Sequence, residues 1–140
     1  MTKTVITFGT FDLIHRGHIN ILERAAKLGD ILIVGISTDE LNYKKKHKNT
    51  IYNQYDRQKI ISSFKFVDDT FFEESLDKKR EYILRYNADI LTMGDDWEGK
   101  FDEFNDICQV IYFPRTKNIS TTEIVDDIVQ RSVINKKNRE

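Results

Sequence analysis

The chain alternates short apolar runs with segments in which apolar residues return every three or four positions. The runs predict strands at residues 4–8, 30–37, 66–72, 89–93 and 109–113. The helical spacing predicts helices at 17–28, 54–64, 77–86 and 121–133, with a short helical piece at 101–106. Residues 38–52 predict no clear element, and residues 134–140 are expected to form a frayed tail. The alternation predicts the α/β class, with a single Rossmann-like parallel-sheet domain over residues 1–133 and helices on both faces.

The connections after the strands hold the residues that can carry chemistry. Because crossovers between parallel strands are right-handed, all strands end at the same edge of the sheet, and ligands bind there where the strand order reverses. Four polar segments follow apolar runs, at residues 9–18, 37–48, 94–100 and 115–122. We therefore expect these four segments to lie close together.

Composition narrows the possible functions. Lys and Arg number 22 and Asp and Glu 23, so the net charge is −1, whereas a general nucleic-acid binder is normally basic. Cys108 is the single cysteine and cannot close a disulfide within the chain, so we expect a small buried hydrophobic residue. The first apolar run is too short for a signal peptide, and no stretch approaches the ~18 apolar residues of a membrane span. The expected protein is cytoplasmic, with neither nucleic acid nor membrane as partner.

Two histidines flank a glycine where the first predicted helix begins, in the segment Gly-Thr-Phe-Asp-Leu-Ile-His-Arg-Gly-His that ends at His18. A helix N-terminus favours phosphate through its free N–H groups and its dipole. His15 and His18 would add N–H donors, and Gly17 would let a phosphate approach the backbone. Their spacing leaves too few further ligands for a metal site. Histidines are more often surface or core residues, but this combination is far more specific.

A basic run, Lys-Lys-Lys-His-Lys, extends from Lys44 to Lys48. Such a run is most often a solvated loop. Because it follows the second predicted strand, opposite the histidine segment, its lysines could also neutralise substrate phosphates and close over the site.

Two further segments carry polar residues with more than one interpretation. The acidic residues beside Trp97, among them Asp96, fit a tight turn as well as a ligand site. Ser120 or one of the two threonines after it can cap the last predicted helix, with Glu123 at capping-box spacing. The same helix start can bind a nucleotide phosphate, with Arg115 as a permanent cation.

The histidine segment resembles the nucleotidyltransferase superfamily that carries a His-x-Gly-His motif. All four segments, in this order and spacing, resemble the glycerol-3-phosphate cytidylyltransferase family from residue 4 to about 123. The strings Ile-Ser-Thr-Asp-Glu, Met-Gly-Asp-Asp-Trp-Glu-Gly-Lys-Phe and Arg-Thr-x-x-Ile-Ser-Thr-Thr are specific to that family. The resemblance implies transfer of CMP from CTP to glycerol 3-phosphate, giving CDP-glycerol and pyrophosphate for a teichoic-acid-like or capsule polymer. It also implies a homodimer.

The resemblance implies roles for individual residues. His15, His18, Thr10 and Arg115 would be catalytic, and Asp12 would orient the first loop. Lys46 and Lys79 would bind the acceptor. The residues implied to bind the nucleotide are Gly9, Thr10, Phe11, Asp12, His15, Gly17, His18, Lys48, Asp96, Arg115, Thr116, Ile119, Ser120, Thr121 and Thr122.

The lysine assignment depends on where the sequence is aligned. Counting back from Arg57 matches Lys46 and Lys48 to the family's Lys-x-Lys pair. Counting forward from Asn42 points to Lys45 and His47 instead, so one residue is inserted between these anchors.

Two departures from the family pattern bear on rate more than on reaction type. Arg16 replaces the aromatic residue usual between the histidines, and Lys65 stands where Arg is frequent.

The expected mechanism is direct in-line attack on the α-phosphorus of CTP. The acceptor phosphate is already anionic, so positioning and charge stabilisation suffice without a general base. Mg²⁺ is expected to arrive with CTP, because the sequence offers no dedicated metal site. Alternatives are a choline or ethanolamine phosphate acceptor, an adenylyltransferase, or a catalytically silent nucleotide-binding module. The intact histidine pair argues against the silent module.

Overall fold

Five strands form one parallel sheet in the computed structural model, which describes residues 1–139. The strands are β1 (Thr4–Gly9), β2 (Ile31–Ser37), β3 (Asp69–Glu73), β4 (Ile90–Gly94) and β5 (Gln109–Phe113). Their order is β3-β2-β1-β4-β5, and each pairing is parallel. The chain moves outwards from β1 to β3 and then returns to the other side of β1, so the strand order reverses between β1 and β4. The predicted α/β class and parallel sheet are confirmed.

Helices cover both faces of this sheet, as predicted. On one face α1 (Arg16–Ala26) and α3 (Gln54–Ser62) bury Leu22, Ala25 and Ile61 in a cluster with Val5. On the other face α4 (Lys79–Arg85) and a 3-10 turn (Asp102–Asp106) bury Tyr82, Ile83 and Phe104 in a cluster with Ile6 and Phe8. Successive β1 residues therefore contribute to opposite cores, as the period of two in a strand requires.

Helix α2 (Asp39–Lys46) occupies part of the stretch in which the sequence predicted no element, so that prediction is wrong. Thr38 caps the helix, its Oγ1 accepting the Leu41 N–H at 3.1 Å. Acidic residues fill the first turn and lysines the last, which complements the helix dipole. The apolar pattern did not reveal this helix, because Leu41 is the one apolar residue that is buried within Asp39–Lys46.

Three other differences from the prediction go beyond shifts of one or two residues at the ends of an element. β3 begins at Asp69, because the chain first turns where the Val67 N–H donates to the Phe64 carbonyl (3.0 Å). The helix predicted at 77–86 divides into a 3-10 turn (Leu76–Lys78) and α4. Helix α5 (Thr121–Arg139) continues through residues 134–139, which were expected to fray, because no Gly or Pro interrupts them and their cations suit a helix C-terminus. Glu140, the last residue of that predicted tail, lies outside the described residues.

Within residues 1–139, no helix is both long enough and apolar enough to cross a bilayer.

Arg57 connects the elements that surround the carboxyl edge of the sheet. Its side chain is fully buried on α3 and donates through NH1 to the carbonyls of Thr10 and Ser37, each at 2.8 Å. Nε donates to the Tyr52 carbonyl (3.0 Å), and NH2 donates to Asp39 Oδ1 (2.7 Å). One guanidinium thereby joins α3 to the ends of β1 and β2 and to the first turn of α2.

Replacing this guanidinium should destabilise the whole domain. Arg57→Met keeps much of the side-chain volume but leaves buried carbonyls and a carboxylate without their donor, which should lower the free energy of unfolding by about 3–5 kcal/mol. Urea unfolding followed by circular dichroism measures the change. Lys59→Met on the same helix is the matched control, because Lys59 is exposed and should change stability by about 0.5 kcal/mol or less. Equal stability of the two variants would contradict the role given to Arg57.

Candidate functional site

His15 and His18 cap the start of α1 reciprocally. His15 Nδ1 accepts the Gly17 N–H at 3.0 Å, and His18 Nδ1 accepts the His15 N–H at 3.2 Å. The ring centroids are 3.9 Å apart, with the planes tilted by 35°. This is a capping box built from two imidazoles. The two rings are therefore held side by side at a helix N-terminus, with Nε2 of each not engaged by the residues described.

The same hydrogen bonds determine which nitrogen carries the proton. Because Nδ1 accepts from a backbone N–H in each ring, the neutral imidazole carries its proton on Nε2. Burial, followed by the charges of His15 and Lys46, lowers the pKa of His18 to about 4. Burial and the charge of Arg16 also lower the pKa of His15. At neutral pH both rings are uncharged Nε2–H donors.

Glycines leave room for the rings in this loop. A Cβ on Gly17 would lie 2.8 Å from His15 Cε1, and a Cβ on Gly9 would lie 2.8 Å from the Phe11 ring. Phe11 itself is buried with φ of 56°, and its ring centroid is 5.8 Å from that of His18. Gly17 is thus needed for the position of His15, a reason that the sequence did not reveal.

Thr10 and Asp12 fix the loop to α2 and to the segment after it. Thr10 Oγ1 donates to Asn42 Oδ1 at 2.9 Å. The two carboxylate oxygens of Asp12 accept the N–H groups of Ile51 (2.7 Å) and Tyr52 (3.0 Å). Asp12 therefore contacts backbone on the far side of the site, in an arrangement that suits the loop-orienting role expected from the sequence.

The connection between β5 and α5 packs against the start of α1. Thr121 Oγ1 donates to the Asp12 carbonyl (2.8 Å), and Thr116 Oγ1 accepts from Asn20 Nδ2 (3.0 Å). Ile119 Cγ2 lies 3.5 Å from the point that a Cβ on Gly17 would occupy. The structure therefore brings the first and the last predicted segments together.

Arg115 and Asp96 connect the loops that follow β5 and β4. Arg115 NH2 lies 3.2 Å from Asp96 Oδ2, and both side chains are largely exposed. Ser120 Oγ accepts the Glu123 N–H at 3.1 Å, which is the helix cap expected from the sequence. Thr122 is exposed, and within residues 1–139 its side chain makes no hydrogen bond to the rest of the site.

The lysines of the basic run point in different directions. Lys45 is half-buried, and its Nζ donates to Ser37 Oγ at 2.9 Å; Lys46 is exposed but near enough to His18 to lower that ring's pKa. Lys44 forms an exposed ion pair with Glu40, at 3.2 Å. The Lys48 side chain is exposed, while its carbonyl accepts from Asn42. The structure thus brings Lys45 next to Ser37 and Lys46 near His18, whereas within residues 1–139 the Lys48 side chain makes no hydrogen bond or ion pair.

Lys79 is a buried cation whose charge acts on Lys45. Its Nζ is 2.5 Å from Glu73 Oε2 and 4.3 Å from the centroid of the Phe8 ring. Burial lowers the pKa of Lys79, and the charge of Glu73 opposes that effect. Burial lowers the pKa of Lys45 to about 8, where Glu73 again acts in the raising direction. The two lysines and this carboxylate form one charge cluster, which we call the Glu73 cluster.

Four polar residues that organise the site received no role from the sequence. They are Asn20, Asn42, Arg57 and Glu73. For Arg57 a signal was present, because it lies four residues before Ile61 and therefore shares a helix face with that apolar residue. The asparagines and Glu73 carry no comparable signal, since their partners come from distant parts of the chain.

No dedicated metal site emerges from this arrangement. Across residues 1–139, no three His, Cys, Asp or Glu side chains are grouped as metal ligands. The arrangement instead offers neutral N–H donors at a helix N-terminus beside a cluster of cations, which together suit a polyphosphate and a second anion.

Comparison with known proteins gives the site a family context. Residues 6–127 match the cytidylyltransferase-like family model. The glycerol-3-phosphate cytidylyltransferase of Bacillus subtilis is 50% identical over 127 residues, covering 90% of this chain and 97% of that protein. The enzyme of the same name from Staphylococcus aureus is 44% identical over 126 residues, covering 90% and 95%.

A solved structure supports the fold alone. The lipopolysaccharide core biosynthesis protein of Thermoplasma volcanium aligns with a TM-score of 0.71 at 24% identity, covering 84% of this chain and all of that one. The family model and the sequence matches, by contrast, place the chain in the cytidylyltransferase-like family, among the glycerol-3-phosphate cytidylyltransferases.

Proposed function

We propose that this protein transfers CMP from CTP to glycerol 3-phosphate, forming CDP-glycerol and pyrophosphate. The observation that carries the proposal is the reciprocal His15–His18 cap, which presents two neutral Nε2–H donors at the N-terminus of α1. The alignment with this chain covers 97% and 95% of the length of two relatives that are named for this activity. The acceptor identity rests on those names, and the cytidylyl transfer rests on the site as well.

The reaction would proceed in line and without a covalent enzyme intermediate. An acceptor phosphate oxygen forms a new bond to the α-phosphorus, and the bond from that phosphorus to the bridging β-phosphate oxygen breaks. Pyrophosphate leaves with the bonding electrons. His15 and His18 would donate to the triphosphate as negative charge builds on the leaving group, with Arg115 as a further cation.

Acceptor binding would fall to the lysines of the Glu73 cluster. The charge of Lys79 acts on Lys45, whereas Lys46 is the lysine whose charge also acts on His18. Lys45 therefore takes the acceptor role that the alignment from Arg57 gave to Lys46. Two cations beside the site of attack would offset the repulsion between the acceptor phosphate and CTP.

Several finer points also belong to this proposal. Mg²⁺ would enter with CTP, held by triphosphate oxygens and water, since both Asp12 oxygens are engaged by backbone N–H groups. It would neutralise part of the triphosphate charge. We further propose a cytoplasmic homodimer that supplies CDP-glycerol for a teichoic-acid-like or capsule polymer.

Removing either histidine should reduce turnover strongly. The loss of one donor to the developing charge should lower kcat by about 10²–10³-fold in His15→Ala and His18→Ala, measured as pyrophosphate release. His15→Asn is the matched variant, because asparagine keeps a cap acceptor for the Gly17 N–H but removes the ring Nε2–H. It should fold as stably as the wild type and be as slow as His15→Ala. Near-normal turnover in the Asn variant would contradict the phosphate-contact role.

The acceptor affinity should depend on the charge of Lys45. Its pKa of about 8 means that Lys45 loses its proton as the pH rises through 8, so the KM for glycerol 3-phosphate should increase above that pH. Lys45→Met should have a raised KM that lacks this dependence on pH. Lys44→Met, which removes an exposed cation, is the control and should retain the wild-type profile. A wild-type KM that stays constant between pH 7 and 9 would contradict the assignment.

A panel of acceptors tests the substrate. With CTP held constant, glycerol 3-phosphate should exceed choline phosphate and ethanolamine phosphate in kcat/KM by up to about 10⁴–10⁵-fold, because a site built to bind hydroxyl groups rejects analogues that lack them. Comparable rates with choline phosphate would overturn the acceptor while leaving the cytidylyl transfer in place. Failure to release pyrophosphate with any acceptor would favour the silent nucleotide-binding module.

A further inference from the structure

Glu73 is a buried carboxylate for which the proposed reaction has no chemical role. It ends β3, its side chain is 1% exposed, and Oε2 is 2.5 Å from Lys79 Nζ. Lys79 is also buried, with Phe8 and Phe101 as the aromatic rings nearest to its ammonium. Within residues 1–139, Glu73 is the one carboxylate in contact with this lysine.

Stability does not account for such a pair. Removing two charges from water costs more than a buried ion pair usually returns, and apolar side chains of similar volume often stabilise a protein equally well or better. The pair lies at the carboxyl edge of the sheet, where ligands of parallel α/β proteins bind. Its position therefore suggests that the charges serve a ligand.

The register of β2 and β3 also places Glu73 beside Ser37, the residue that binds Lys45. Glu73 stands opposite Ser37 in the β2–β3 pairing, and Ser37 Oγ accepts from Lys45 Nζ at 2.9 Å. Adjacent strand ends thus hold the two lysines, one through a carboxylate and the other through a hydroxyl. Two cations share one anion, so the Glu73 cluster carries an excess positive charge.

We propose that Glu73 is a positioning residue for the acceptor phosphate: it holds Lys79 in place and keeps both lysines charged inside a buried site. This role rests on the proposed function and extends it to a residue that never touches the reacting atoms. Burial favours the neutral form of both lysines, and the Glu73 charge opposes this effect. The charges of Lys79, Lys46 and Arg57 also act on Lys45, and they lower its pKa in the same direction as burial.

Glu73→Gln tests the charge without changing the shape. We expect the KM for glycerol 3-phosphate to rise about tenfold or more at pH 8, with the KM for CTP nearly unchanged. Because the lysines of the variant should lose their protons at lower pH, the ratio of variant to wild-type KM should fall towards one as the pH is lowered to 6. A ratio that is equally high at every pH would indicate a structural defect and overturn the proposal.

A double variant separates charge from folding, with a readout that needs no substrate. Lys79→Met should lose thermal stability because it leaves Glu73 without a partner, whereas Glu73→Gln/Lys79→Met should regain it and melt near the wild-type temperature. The double variant should nevertheless keep a raised KM at every pH. A double variant less stable than either single variant would mean that the pair is structural, and would overturn the proposal.

The control uses an exposed ion pair that joins α4, the helix of Lys79, to the 3-10 turn at Asp102–Asp106. Asp106→Asn removes the partner of Arg80, 2.9 Å away, and should leave both KM values unchanged. An assay of the wild type with glycerol 3-phosphate distinguishes failure of the proposed function from failure of the role proposed for Glu73. If it forms no CDP-glycerol, the proposed function fails, whereas the melting temperatures still report on the pair itself.

Discussion

The Arg57 guanidinium is the interaction on which the geometry of this site depends. It donates hydrogen bonds to two carbonyls at the ends of neighbouring strands, so the backbone that follows β1 and β2 is fixed in the absence of a ligand. Its bond to Asp39 anchors the first turn of α2, which carries the lysines. One buried cation therefore determines the positions of Thr10, Asn42 and Lys45. A lysine could not replace it, because only a planar fork presents several donors in fixed directions.

At the histidine pair, the helix cap is also the phosphate site that we propose. The Gly17 N–H donates to His15 Nδ1, and the His15 N–H donates to His18 Nδ1. The Nε2–H group of each ring therefore remains available to a ligand. Protonation would require a proton on Nδ1, where a backbone donor already points, so geometry and burial both favour neutral rings. Neutral donors with fixed directions stabilise charge that develops in a reaction without binding the ground-state anion as tightly as full cations would.

The sequence predicted the elements with apolar repeats and failed where polar contacts determine the structure. The strands and the helices that bury Leu22, Ile61 and Tyr82 carry a clear periodicity, and their existence could be predicted. Helix α2 could not, because capping by Thr38 and the order of its charges stabilise it rather than an apolar face. The His-x-Gly-His segment, like the strands, could be recognised from the sequence because it is a local motif. The partnership of Glu73 with Lys79 was not visible, because a residue on a strand end and one on a helix meet only in the folded chain.

The two halves of the site meet different electrostatic demands. The nucleotide brings its own counter-ion in the proposed reaction, and the helix start needs only directed donors for the charge that moves to the leaving group. The acceptor phosphate has no such companion and must approach another anion, so its repulsion has to be offset by fixed cations. Cations buried deeply enough to act strongly tend to lose their protons. A carboxylate placed behind them, on the side away from the ligand, resolves this conflict at the cost of part of the attraction. In our proposal Glu73 has this role: it is buried at the end of β3, bonded to Lys79 and adjacent to the residue that holds Lys45.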